Sequence, residues 1–293
     1  MRGVVLAGGR GTRLWPITRA INKQLLPIHD KPMIHYPIAT LMTAGITEIL
    51  VITNPEEGDD FKKLLGDGSN YGIHFEYAVQ PEPGGLAEAL LIGSEFIGNH
   101  SVALVLGDNI FHGPGLGRRL EEFTNPKGAT IFAYHVSDPT QYGVVQLDHN
   151  GQVQSIEEKP AVPKSNWAIP GLYFFDNSCV QRVKSAVRSE RNELEITSVL
   201  NSYLQDKALE VSILPRGTAW LDTGTVESLN DAATYFRLLE DRQGTKVSCL
   251  EEVAWRLNLI SSEKLGSLTE SFKGSPYGHY LESLLRESHT REW

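Results

Sequence analysis

A chain of 293 residues, 41% hydrophobic and 22% charged, has the balance of an ordinary globular protein; disordered and low-complexity classes are excluded, and one large α/β domain or two modest ones fit. The net charge of -9 lacks the basic balance of a non-specific nucleic-acid binder, though local cations can still hold phosphates. The two cysteines, Cys179 and Cys249, form no metal spacing or disulfide framework, and the longest apolar runs, such as Val102 to Leu106, are far too short to span a bilayer.

Met1-Arg2 leads straight into an apolar run and then glycines, without a secretory leader pattern, so a reducing cytoplasm is the expected compartment. Gly3 to Leu6 reads as a buried strand. Pro32 to Gly45 reads as a helix that Pro37 should kink. Ile49 to Ile52 is a strand, Asp60 to Leu65 a helix, Phe75 to Val79 a strand, Leu86 to Ile97 a helix and Val102 to Leu106 a strand. This alternation predicts a parallel sheet covered on both faces. Thr130 to His135, Gly143 to Leu147, Val153 to Glu157 and Gly171 to Phe175 are strands with few helices between them, which predicts added or mixed strands. Val180 to Val187 and Ile196 to Gln205 read as helices, Val211 to Leu214 and Ala219 to Leu221 as short strands. From Val226 onward the pattern is almost wholly helical, a packing or oligomer element.

The first strand runs into Ala7-Gly8-Gly9-Arg10-Gly11-Thr12-Arg13. Ligands of open α/β sheets bind at the carboxyl ends of strands, and glycines there let backbone N–H groups approach phosphates. A dinucleotide fingerprint starting at Gly9 fails because its last position is Leu14, and the P-loop pattern is absent. What remains is a glycine turn carrying Arg13, followed by Lys23. Two cations there suit a triphosphate; an ordinary tight turn satisfies the same letters.

Gly107-Asp108-Asn109 closes another strand, and a carboxylate there can hold Mg²⁺ or simply cap a turn. Asp222, in Trp220-Leu221-Asp222-Thr223-Gly224, is a second candidate that also suits a helix N-cap. Two such acids can meet at one metal. Lys159, in Glu157-Glu158-Lys159-Pro160, suits a sugar phosphate and Glu158 sugar hydroxyls; a solvated charge cluster fits as well. The amide of Gln80 can read a base edge or serve a turn. Arg191 near Glu193 and Glu195 can be a plain ion pair. The nine histidines show no metal spacing, and no Ser, Cys or His arrangement suggests a covalent mechanism.

Leu6 to Leu14 resembles the signature of the sugar-nucleotide pyrophosphorylases. Lys23-Gln24-Leu25-Leu26-Pro27 and Asp30-Lys31-Pro32-Met33-Ile34 narrow the resemblance to the glucose-1-phosphate thymidylyltransferase family. Leu64 to Ser69, Leu106 to Asn109, Tyr142 to Val145, Glu157 to Pro160 and Trp220 to Thr225 follow in that family's order, across essentially the whole chain.

The resemblance implies a Rossmann-like α/β fold, a mixed sheet flanked by helices with inserted sugar-binding strands and a helical C-terminal part. It implies one nucleotidyltransferase domain: a nucleotide-binding core at about 1-135 and 210-240, a sugar-binding part at about 136-209 and a tail at about 241-293. The substrates would be dTTP and glucose 1-phosphate, the cofactor Mg²⁺, the product a feed for deoxysugars such as rhamnose, and the assembly a homotetramer. Leu6, Gly8, Gly9 and Gly11 would lie against the nucleotide. Gln80 and Gly85 would read the pyrimidine, Arg13 and Lys23 the phosphates. Asp108 and Asp222 would bind Mg²⁺. Tyr142, Gly143, Glu158, Ile169 and Tyr173 would line the sugar, and Lys159 and Arg191 would hold its phosphate. Arg216, Glu252 and Arg256 match a second, inhibitory nucleotide site. The rivals are a uridylyltransferase and a non-catalytic sugar-nucleotide sensor on the same fold. The chain departs from the family at Asn22 (usually Ser), His35 (Tyr), Gly84 (Asp), Glu88 (Gln) and Trp167 (Tyr), and Gly84 and Glu88 flank the base-reading loop.

Overall fold

The computed structural model describes residues 1–286. In chain order the strands are β1 (Arg2–Ala7), β2 (Pro27–Ile28), β3 (Lys31–Pro32), β4 (Glu48–Thr53), β5 (His74–Val79), β6 (Val102–Leu106), β7 (Asn109–His112), β8 (Ala129–His135), β9 (Gly143–Leu147), β10 (Val153–Glu158), β11 (Trp167–Ile169), β12 (Leu172–Phe175), β13 (Leu209–Ile213) and β14 (Ala219–Asp222). The helices are α1 (His35–Thr43), α2 (Gly58–Leu65), α3 (Glu88–Ile92), α4 (Ser94–Ile97), α5 (Leu116–Glu121), α6 (Cys179–Ser185), α7 (Ile196–Gln205), α8 (Val226–Gln243), α9 (Leu250–Arg256), α10 (Ser262–Thr269) and α11 (Pro276–Arg286).

Ten strands make one mixed sheet in the order β10-β9-β11-β8-β12-β6-β1-β4-β5, with β13 beside β8. β6, β1, β4 and β5 are mutually parallel. The apolar runs of β6, β1 and β4 are continuous because successive side chains enter opposite, buried faces, whereas the edge strand β5 mixes His74 and Glu76 with its apolar residues. Val5, Val51 and Val105 join one core with α1, α9, α10 and α11, while Val4, Leu50 and Leu104 join the other with α3, α6 and α7. β12 then inserts antiparallel between β6 and β8, and β9, β10 and β11 extend the sheet antiparallel. The expected parallel half and mixed half are both present.

Several local expectations are corrected. Pro32 belongs to the short β2–β3 hairpin, so α1 starts at His35. Pro37 then falls in the first turn, where its missing N–H has no intrahelical partner to lose, and causes no kink. The helix expected over Leu86 to Ile97 breaks at Gly93 into α3 and α4. β7, which follows Asp108 directly, was not expected; it pairs antiparallel with β14. α8 starts on a capping box between Thr225 and Ser228 and stops at Gly244, whose φ of 68° suits glycine.

Candidate active site

The acidic centre of the site is built by the β7–β14 pair. Asp222 lies opposite Asn109 in the register, which brings it beside Asp108. The Asp108 carbonyl accepts from the Thr223 N–H at 3.2 Å and from its hydroxyl at 3.0 Å, so the two turns are stapled together. Lys23 Nζ donates to Asp108 Oδ2 at 2.6 Å, and Asn109 Nδ2 donates to Oδ1 at 2.9 Å. Asn109 is fixed in turn: its Oδ1 accepts from the Trp220 indole at 2.7 Å and from the Gly171 N–H at 3.0 Å. One buried amide thus ties β7, β12 and β14 and aims the Asp108 carboxylate.

The two acids differ in charge state. Burial opposes ionisation of Asp108, but the charge and hydrogen bond of Lys23 outweigh it and hold the carboxyl below its usual range. Asp222 is pushed up to about 6, first by burial and then by the Asp108 charge, against Lys23, Arg13 and Lys159. Two hard oxygen donors with no thiolate or imidazole fit a hard divalent cation such as Mg²⁺. A second acidic group, His29, Asp30 and Glu240, has metal-like spacing. It does not fit a metal, because Lys31 contacts Asp30 at 2.5 Å and Glu240 at 2.9 Å, and Lys246 pairs with both acids.

The glycine turn lies at the carboxyl end of β1. Gly11 has φ 58°, and a Cβ there would sit 3.2 Å from Lys23 Cβ. Arg13 follows in a 3₁₀ turn, and its guanidinium lies so close to Gly224 that a Cβ there would meet Nη2 at 3.0 Å. Gly8 faces Gln80, whose Oε1 lies 3.0 Å from the position of a Gly8 Cβ. Gly85, with φ 101°, packs on the Leu194 backbone. Leu6 is beside Leu106 in the sheet. Leu6, Gly8, Gly9, Gly11, Gln80 and Gly85 therefore gather at one end of the sheet.

The adjoining cleft has a volume of about 560 Å³. Arg13, Asp108, Tyr142, Gly143, Glu158, Lys159, Ile169, Tyr173, Arg191 and Asp222 all line it. Gly143 and Ile169 are register partners on β9 and β11, and a Cβ at Gly143 would lie 3.6 Å from Glu158 Oε2. Lys159 sits just after β10 with φ 42°, a strained conformation for a side-chain-bearing residue; its N–H donates to the Tyr142 carbonyl at 3.0 Å. Arg191 contacts Glu195 at 2.8 Å, Glu158 at 3.7 Å and Glu193 at 3.8 Å. Burial and the Glu195 charge raise Glu158 above the usual range, against Lys159 and Arg191.

The scattered expectations thus converge, with two qualifications. Lys23 is 4% exposed and spends its charge on Asp108 rather than standing free. Glu252 and Arg256 pair at 2.7 Å, but Arg216 is exposed in the turn before β14 and makes no hydrogen bond or ion pair with them among the described residues. Three site residues were missed as such: Asn109, Glu195 and Glu88. Asn109 was legible as the neighbour of Asp108, whereas the partners of Glu88 and Glu195 depend on distant turns. Of the other departures, Asn22 caps the turn carrying Lys23, accepting from Gln24 N at 2.8 Å. His35 is buried, and neither ring nitrogen has a partner among the described residues. Trp167 packs edge-on against His135.

Residues 2–237 match the family model described as nucleotidyl transferase.

The chain belongs to the nucleotidyl transferase family.

Family members named glucose-1-phosphate thymidylyltransferase are similar over nearly the full length. That of Mycobacterium tuberculosis is 54% identical over 98% of this chain and 100% of its own. That of Mycolicibacterium smegmatis is 53% identical over 97% and 99%. The crystal structure of a protein so named from Bacillus anthracis superposes with a TM-score of 0.75 at 40% identity, covering 80% of this chain and 94% of the other. A UDP-glucose pyrophosphorylase complexed with UDP-glucose, 24% identical with a TM-score of 0.72, shares the fold.

Proposed function

We propose that this chain transfers a thymidylyl group from dTTP to α-D-glucose 1-phosphate, giving dTDP-glucose and pyrophosphate. The observation that carries this reading is the convergence of Asp108 and Asp222 with Arg13, Lys159 and Arg191 on one cleft. A phosphate oxygen of the sugar phosphate attacks the α-phosphorus in line; the bond from that phosphorus to the bridging oxygen breaks, and pyrophosphate leaves. A phosphate dianion is already a nucleophile, so no general base is needed, consistent with the lack of a Ser, Cys or His constellation. Alignment and charge neutralisation carry the rate, and alignment of two bound reactants is worth roughly 7–11 kcal/mol.

Asp108 and Asp222 would hold Mg²⁺, which screens the charge between phosphate groups. Lys23 and Asn109 keep the Asp108 carboxylate ionised and aimed. Arg13 faces the triphosphate and the departing pyrophosphate. Lys159 and Arg191 anchor the sugar phosphate, while Glu158, Tyr142, Gly143, Ile169 and Tyr173 surround the sugar. The product would feed deoxysugar synthesis, for instance of rhamnose. The working form would be a homotetramer with Arg216, Glu252 and Arg256 at a regulatory nucleotide site. Among the described residues no helix is long and apolar enough to cross a membrane. Pyrophosphate release with Mg²⁺, glucose 1-phosphate and either dTTP or UTP tests the reading. Faster release with dTTP is expected; faster release with UTP would move the base assignment, and none with either would favour a sensor.

A further inference from the structure

We propose that Glu88 sets base selectivity by locking the amide of Gln80 in one orientation. The inference rests on the reading that Gln80 and Gly85 border the nucleobase. Gln80 is 6% exposed, so its amide cannot reorient freely through water. Its Nε2 donates to Glu88 Oε2 at 2.8 Å and points toward the Gly85 carbonyl at 3.4 Å. A carboxylate can only accept, so the amide must turn its NH₂ to Glu88 and its oxygen away. That oxygen lies on the Gly8 side, at the mouth of the glycine turn.

Glu88 is itself immobilised. Its other oxygen, Oε1, accepts from Arg188 Nη2 at 3.0 Å. Arg188 Nη1 donates to the Gly84 carbonyl at 3.1 Å and to the Asn192 carbonyl at 2.8 Å. Gly84 is part of the same device. A Cβ at position 84 would lie 2.1–2.2 Å from the Glu88 carboxylate atoms. The carboxylate therefore occupies the space that a side chain at 84 would take, and the two departures in this loop, Gly84 and Glu88, are one compensated change.

The consequence is chemical. With its NH₂ engaged, Gln80 offers a base only an acceptor. Thymine and uracil carry an N3–H donor in their imide and satisfy it. Cytosine has a bare lone pair at N3, which would face the lone pairs of Oε1. Glu88 is thus a positioning residue acting through Gln80, and it favours the imide pyrimidines as a class over cytosine.

The test compares kcat/KM for dTTP, UTP and dCTP with glucose 1-phosphate and Mg²⁺ in the purified full-length protein. Glu88→Gln keeps the volume but lets the Gln80 amide turn either way. Gly84→Ala keeps Glu88 but drives its carboxylate out of place, so it serves even if the first variant fails to fold. In each folded variant the dTTP to dCTP ratio is expected to fall about tenfold or more, with UTP tracking dTTP. A wild-type ratio in either folded variant, alongside a lowered ratio in Gln80→Ala, overturns the role of Glu88 while keeping Gln80 as the reader. A wild-type ratio in Gln80→Ala overturns the base-site reading itself, and this inference with it.

Discussion

The molecule contains two clusters of paired carboxylates and lysines, and their contrast separates a structural use of charge from a chemical one. Asp30 and Glu240 face Lys31 and Lys246 at the foot of α8, and Lys31 and Glu240 are nearly sealed from water at 3% and 6% exposure. Two negative charges meet two positive ones, so the charges balance within the cluster. Asp108 and Asp222 also sit among cations, yet they line an open cleft, and among the described residues only Lys23 is paired with either acid at close range. Arg13, Lys159 and Arg191 remain turned to the same space. Residue types are thus similar in both clusters, and access to the cleft decides between them.

The largest expected effect breaks the open cluster. Asp108→Asn removes a metal-binding charge and leaves Lys23 without its partner. Turnover is expected to fall by roughly 10³ (~4 kcal/mol of transition-state stabilisation) with an unchanged circular dichroism spectrum. Near-wild-type turnover at saturating Mg²⁺ would remove Asp108 from the metal site. The sealed cluster should respond in the opposite currency. Glu240→Ala takes from the buried Lys31 and the half-buried Lys246 the acid they share, leaving both on Asp30 alone, and is expected to lower unfolding stability by ~3 kcal/mol, read as a shifted urea midpoint. The remaining folded protein should keep its kcat. A kcat loss as large as that of Asp108→Asn would show that the clusters are not separate.

A smaller effect sharpens the difference within the open cluster. Asp222 titrates near 6, above its ordinary 3.8, and must be ionised to hold a cation. Activity should therefore fall about tenfold per pH unit below ~6 at low Mg²⁺. Raising Mg²⁺ stabilises the ionised form and should move that limb to lower pH. The same raised value means that metal-free protein is favoured by a protonated Asp222, a contribution full below 3.8 and lost as pH rises through about 6. Asp222→Asn should accordingly raise the thermal midpoint of metal-free protein at pH 7 while reducing activity. An acid limb insensitive to Mg²⁺ would assign it to another group.

The parallel half of the sheet was readable because strands buried on both faces, such as Val102 to Leu106, announce themselves as unbroken apolar runs. The reason Asp108 and Asp222 meet was not. β7 begins one residue after Asp108 as Asn-Ile-Phe-His, too short to stand out, and only its pairing with β14 joins turns 114 residues apart, since 222 − 108 = 114. Most site residues were placed through ordered motifs, which carry identity but not partners. The compensation between Gly84 and Glu88 appears in sequence as two unrelated departures. It becomes one feature only when the carboxylate is seen in the space of the missing side chain.

The smallest effect concerns Glu195, whose position four residues after Arg191 looked like a simple ion pair. It is 9% exposed and accepts from Ser189 at 2.9 Å as well as from Arg191 at 2.8 Å. The pair therefore anchors a half-exposed guanidinium at the cleft wall. Glu195→Gln keeps the shape but weakens the anchor, and KM for glucose 1-phosphate should rise roughly fivefold (~1 kcal/mol) with kcat little changed. At the sealed cluster a lost charge appears in stability; here it should appear in substrate affinity, because Arg191 has somewhere else to go. An unchanged KM would mean that Glu158 and Glu193, at 3.7 and 3.8 Å, suffice to hold Arg191 in place.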